Sequence, residues 1–139
     1  ENQKFEIGKA ICIKDGKDVS IFATGHLVWE AMEAQKSLQE KGISAEIINI
    51  HTIKPLDEKS ILKSVVKTKC VVSAEEHMLN GGLGDSISQY LSRNNPTPIE
   101  MIGVNDTFGE SGKPKELMAK YGLDSQSIIK AALKVVKRK

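Results

Sequence analysis

Apolar positions in this chain follow two rhythms, and the rhythms alternate. The runs Ala10-Ile11-Cys12-Ile13-Lys14 and Val19-Ser20-Ile21-Phe22-Ala23 flank the turn Asp15-Gly16-Lys17-Asp18, which predicts a hairpin with its first run at a sheet edge. After Thr24-Gly25, Leu27, Ala31, Ala34 and Leu38 step by four, three and four, so they share one helix face, and Gly42 supplies a left-handed stop. Ala45–Ile50 reads as a strand. Beyond Pro55, Asp57 caps a helix whose predicted core face is Ile61, Leu62, Val65 and Val66. The beat repeats with a strand at Cys70–Ala74, a helix with Leu83, Ile87, Tyr90 and Leu91 inward, and a strand at Ile99–Val104. Pro114 suits a first helical turn that Gly122 ends, and Asp124 caps a last helix carrying Ile128, Ile129, Ala132, Leu133 and Val136.

Strands alternating with helices imply parallel pairing through right-handed crossovers. The predicted architecture is therefore an α/β/α three-layer sandwich. Its sheet is mostly parallel, with about five strands and one antiparallel edge strand from the opening hairpin. The 139 residues suit one domain, with residues 1–9 as a lead-in and residues 10–139 as the domain itself.

Composition narrows the function classes. Twenty Lys and Arg against 18 Asp and Glu leave +2, which excludes a strongly basic nucleic-acid arm. The aromatics Phe5, Phe22, Trp29, Tyr90, Phe108 and Tyr121 are too scattered for a base-stacking platform. No apolar run approaches the roughly 20 residues of a membrane span. Cys12 and Cys70 sit in apolar, β-branched stretches without metal or redox spacing, and read as buried, reduced thiols. With no signal-peptide pattern, the expected location is the cytoplasm. The closing cluster Lys130, Lys134, Lys137, Arg138 and Lys139 reads as a solvated helix end complementing the macrodipole, in preference to an anion site.

An open α/β sheet offers ligands the carboxyl ends of its strands. The densest polar stretch there is Glu75-Glu76-His77-Met78-Leu79-Asn80-Gly81-Gly82-Leu83-Gly84-Asp85. Its glycines at a helix start suggest a phosphate cradle with His77 as acid or base, but Glu75, Glu76 and Asp85 would repel an anion, and no Lys or Arg stands nearby. His26, His51 and His77 follow three different strands, yet none has the His-x-x-x-His spacing of a helical metal site. Ser73 and Ser86 lack a nucleophile-elbow context. Gly84-Asp85-Ser86 is no Gly-Asp-Gly metal motif, and Asn94 and Asn95 come too early to complete one. Phe108, between Gly103, Gly109 and Gly112, reads equally well as an interface anchor or as a ring folded onto the sheet edge. No catalytic, cofactor-binding or metal-binding set emerges.

The motifs nevertheless resemble a family. Asp18-Val-Ser-Ile-Phe-Ala-Thr-Gly25, Ile53-Lys-Pro-Leu-Asp57 and Val72-Ser-Ala-Glu-Glu-His77 with Gly81-Gly-Leu-Gly84 resemble, in order and spacing, the C-terminal domain of transketolase. Asp106-Thr-Phe-Gly-Glu-Ser-Gly112, Pro114-Lys-Glu-Leu117 and Tyr121-Gly-Leu123 resemble the family's ending, although Lys113 stands where a capping Thr or Ser is expected. The resemblance implies an intact enzyme that moves a two-carbon ketol unit between sugar phosphates, as in the pentose phosphate pathway. Thiamine diphosphate and a divalent metal, magnesium or calcium, would be held by separate diphosphate-binding and pyrimidine-binding domains in a homodimer. This chain matches neither of those domains. The resemblance therefore implies a domain that binds no cofactor and is inactive alone, with a role in assembly. Its implied interface comprises Glu75, Glu76, His77, Gly81, Gly82, Gly84, Asp106, Phe108 and Gly109. Alternatives are the same domain of a deoxyxylulose phosphate synthase or a 2-oxo acid dehydrogenase beta subunit, or a free-standing anion-binding or interaction module.

Overall fold

A computed structural model of the chain describes residues 9–51, 53–78, 82–104 and 123–139. The helix expected between Pro114 and Gly122 lies outside these residues, as do Gly81, Asp106, Phe108 and Gly109. The described elements are β1 (Ile11–Lys14), β2 (Val19–Ala23), α1 (Leu27–Glu40), β3 (Ala45–Asn49), α2 (Glu58–Thr68), β4 (Val71–Met78), α3 (Leu83–Asn94), β5 (Ile99–Val104) and α4 (Ser125–Val136). The five strands form one sheet in the order β1-β3-β2-β4-β5, parallel except for β1 against β3. One face carries Ile21, Ile47, Val72 and Ala74 against α1 and α4, and the other carries Phe22, Ile48 and Val71 against α2 and α3. This is the expected three-layer α/β/α sandwich.

The predicted hairpin does not form. β1 is an edge strand, but its antiparallel partner is β3, with Ile11 opposite Asn49, and β3 separates β1 from β2. The turn therefore crosses under the start of β3. Gly16 lies so close to the Ala45 and Glu46 backbone that a Cβ there would collide with main-chain atoms, which is why this crossing needs glycine. Local apolar-turn-apolar patterning is the same whether two strands pair or merely flank a third. Edge placement also corrects the reading of Cys12, which is exposed, whereas Cys70 is buried as expected.

Helix α1 presents the expected core face, Leu27, Ala31, Ala34 and Leu38, and Gly42 at φ 80° ends it. Its last turn closes as a Schellman motif, with Ile43 N donating to Leu38 O and Gly42 N to Gln39 O. Helix α2 departs from expectation. Val66 is 58% exposed, and Ser64 and Thr68 turn inward beside Ile61 and Val65. The reason is a polar core beneath α2. Ser64 donates to Glu46 Oε1, so the single proton of Ser20 must serve the Ser20–Ser64 contact, and Thr68 Oγ1 lies 2.5 Å from Ser20 Oγ. Lys67 completes the set by donating to Glu46 Oε2 and to Asp15.

Asp57 caps α2 as expected, accepting from Ser60 N and the Ser60 hydroxyl, and it also accepts from Ala10 N, fastening the start of β1. Burial opposes its charge, but the Ala10 and Ser60 donors outweigh burial and hold its pKa below the usual value. An acid with a depressed pKa stabilises the fold above its unfolded-state value, and that contribution is lost as pH falls. Asp57→Ala is expected to cost about 1–2 kcal/mol near neutral pH, read from urea midpoints, and less in acid.

Candidate functional site

Strands β2 to β5 end at one edge, and β4 reaches it by running on to Met78, four residues past the predicted end at Ala74. Glu75, Glu76 and His77 are therefore strand residues. Successive side chains of a strand point to opposite faces, so the two adjacent carboxylates cannot act as a pair. Each serves a helix on its own face.

Glu75 lies on the α3 face and is fully buried. Its Oε1 accepts from Leu83 N at 2.7 Å and its Oε2 from Gly84 N at 2.8 Å. Gly82, the N-cap of α3, has no side-chain oxygen, so Glu75 supplies the missing acceptor and places a negative charge at the positive end of the helix dipole. The phosphate cradle weighed from the sequence is thus already filled by a carboxylate. Gly84 permits the close approach, because a Cβ there would sit 2.5 Å from Ser73 Oγ and 2.7 Å from Met101 Sδ, and those side chains would have to shift to admit it. Ser73 Oγ itself is buried without a hydrogen-bond partner among the described residues.

Glu76 is exposed and lies on the α1 face, where its Oε1 accepts from His26 N at 3.0 Å. Glu30 extends the pattern by accepting from Ser125 N at 2.8 Å, beside the Asp124 cap of α4. The His26 imidazole Nε2 stands 3.5 Å from Glu30 Oε2. Three helix N-termini at this edge are therefore held by carboxylates from neighbouring elements. Among the described residues no cluster of His, Cys, Asp and Glu is arranged to hold a metal ion, and no helix is long and apolar enough to cross a membrane.

Of the residues singled out from the sequence, Glu75, Gly82 and Gly84 are buried inside the domain, and Glu76 faces solvent. The backbone of His77 is in β4. Glu75 thus supports the edge from within, as the acceptor for the first amides of α3. Sequence reasoning missed Glu30, a surface-patterned acid in α1 whose partner is 95 residues away. A diphosphate brought to the start of α3 would meet the Glu75 carboxylate, so these amides do not fit thiamine diphosphate.

The described residues thus form a mostly parallel α/β/α sandwich whose carboxylates secure helix starts at one edge of the sheet. The family model described as transketolase, C-terminal domain, matches residues 8–128. The chain is 45% identical over 139 residues to the 6-deoxy-6-sulfo-D-fructose transketolase subunit of Clostridium sp. (strain MSTE9), covering 100% of this chain and 43% of that protein. It is also 45% identical over 139 residues to a putative transketolase C-terminal section of Methanocaldococcus jannaschii, covering 99% and 43%. A solved split-gene transketolase, described as an inactive beta4 tetramer, superposes with a TM-score of 0.94 at 40% identity, covering 98% of this chain and 45% of that one. This chain belongs to the transketolase C-terminal domain family. It spans less than half the length of the relatives it matches.

Proposed function

We propose that this chain is the assembly domain of a thiamine-diphosphate-dependent, cytoplasmic transketolase. In this reading its partners are the diphosphate-binding and pyrimidine-binding parts of the same enzyme, working as a homodimer, and they carry out ketol transfer between sugar phosphates. The observation that carries the reading is the use of Glu75, Glu76 and Glu30 as helix caps, which leaves those carboxylates committed to structure. The inactivity described for the solved beta4 tetramer supports a domain that needs its partners. In this proposal Glu76, His77, Gly81, Asp106, Phe108 and Gly109 are residues that meet the partner.

The test has two arms. Calorimetric titration of this chain with thiamine diphosphate and magnesium is expected to give no binding heat, and saturable heat would sink the accessory reading. Mixing the chain with the polypeptide bearing the two cofactor-binding parts is expected to restore transfer from a ketose phosphate to an aldose phosphate. Consumption of pyruvate without ketol transfer would instead reassign the domain to a deoxyxylulose phosphate synthase.

A further inference from the structure

We infer that Trp29 anchors this domain to the cofactor-binding portion of the enzyme by entering an apolar pocket with a basic rim, an inference that rests on the assembly reading above. Trp29 is the sole tryptophan of the chain and is 73% exposed. Single exposed apolar residues are ordinary, so exposure by itself carries nothing. Placement, charge and chain direction do.

Trp29 sits in the first turn of α1, three residues after His26, whose amide is held by Glu76. The core face of α1 is Leu27, Ala31, Ala34 and Leu38, and at 100° per residue position 29 lies opposite it. Helical Cα–Cβ bonds tilt toward the N-terminus, so Trp29 leans toward the candidate edge. The turn is already fixed, because neighbouring Glu30 accepts from Ser125 N and ties α1 to α4. A rigid aromatic on a held backbone loses little freedom on docking, and tryptophan is enriched among residues that dominate interface energies.

Among the described residues the charge around it on α1 is acidic. Glu30 and Glu33 lie within a turn of Trp29, and Glu76 is exposed at the same end of the helix. Lys36 pairs with Glu33 at 3.7 Å and stands two turns along α1 from Trp29. A pocket rimmed by Lys or Arg is the complementary surface. Chain direction supplies the occupant. Because β1 is antiparallel to β3, the chain reaches the sheet at the carboxyl-end edge, where Ile11 faces Asn49 and Ala10 bonds Asp57. The relatives have more than half of their length beyond the matched region, and the matched family model is described as a C-terminal domain. A segment joined ahead of β1 would enter at the edge toward which Trp29 leans.

The single tryptophan makes the test direct. The chain is labelled with 5-fluorotryptophan, giving one fluorine resonance from Trp29, and mixed with the polypeptide bearing the diphosphate-binding and pyrimidine-binding parts. Complex formation is followed by sedimentation. In the complex the resonance is expected to move and lose its H2O-to-D2O shift. Trp29→Ser is expected to weaken association about 30-fold or more while leaving the melting temperature of the chain unchanged. Val66→Ser, also an exposed apolar residue but on α2 in the opposite layer, is expected to change association less than about twofold. A complex in which the resonance stays solvent-sensitive and Trp29→Ser binds as wild type would overturn the anchor and leave the assembly reading standing. Failure of any complex to form would overturn both. A resonance that moves with the concentration of this chain alone would assign Trp29 to self-contact and overturn the proposed occupant.

Discussion

Glu75→Ala is expected to lower the unfolding free energy by about 3 kcal/mol. The wild-type carboxylate accepts two buried amide hydrogen bonds at the start of α3, from Leu83 and Gly84. Bonds to an ionised acceptor contribute about 1.5–3 kcal/mol each, and the cost of burying the carboxylate offsets part of that sum. Truncation also leaves two buried donors without partners. Glu75→Gln keeps one carbonyl acceptor but turns an NH2 toward the second amide, so about half the loss is expected. Glu76→Ala removes one acceptor from an exposed site and should cost less than about 1 kcal/mol. Urea unfolding followed by circular dichroism ranks the three. Equal effects at Glu75 and Glu76 would show that burial does not separate their roles.

The second large effect is expected at Lys67. Its ammonium bridges Asp15 and the 5% exposed Glu46 side chain, while Ser64 takes the other Glu46 oxygen. Removing one partner of a fully buried ion pair costs about 3–5 kcal/mol, because the remaining charge is left uncompensated. Lys67 is 42% exposed and water screens part of the interaction, so about 2–3 kcal/mol is expected for Lys67→Met. Combining it with Glu46→Gln should recover much of the loss, since no buried charge then remains. Acid should shrink the effect of Lys67→Met as well. Contact with Glu46 and then with the Lys67 ammonium lowers the Asp15 pKa from 3.8 to about 2. Such a depressed acid contributes in full above its unfolded value, near pH 4, and the contribution disappears as pH falls toward 2. Wild type and Lys67→Met should therefore converge in stability across that window, and a constant gap would show that Asp15 plays no part.

Much of the fold was legible because its signals are local. The stepping of Leu27, Ala31, Ala34 and Leu38 specifies a helix whatever it packs against, and Asp57 and Asp124 each cap a helix within three residues of themselves. Alternation of strands with helices was enough to imply parallel pairing, since parallel neighbours need a crossover. The exceptions share a cause. β1 and β2 look like a hairpin until β3 is inserted between them, and no residue in the turn names the strand that it crosses. Hydrophobicity alone points Val66 inward, yet the space beneath α2 is claimed by Glu46 from β3 and Ser20 from β2, which hold Ser64 and Thr68 inward instead. Ser64 and Thr68, four apart on the face with Ile61 and Val65, were the available signal for that polar core.

The site divides along the same line. The chain alone determined that glycines and carboxylates gather where a strand passes into α3, and that no motif there has the residue spacing of a nucleophile, a metal site or a phosphate loop. Only the tertiary structure decided what the carboxylates do. It set Glu75 and Glu76 on opposite faces of β4 and brought Leu83 and Gly84 to one, His26 to the other and Ser125 to Glu30. The order of residues specifies periodicity and short-range caps, because both act within a few bonds along the chain. The partner of a buried charge is a contact between elements far apart in sequence, and it exists only once the layers have packed.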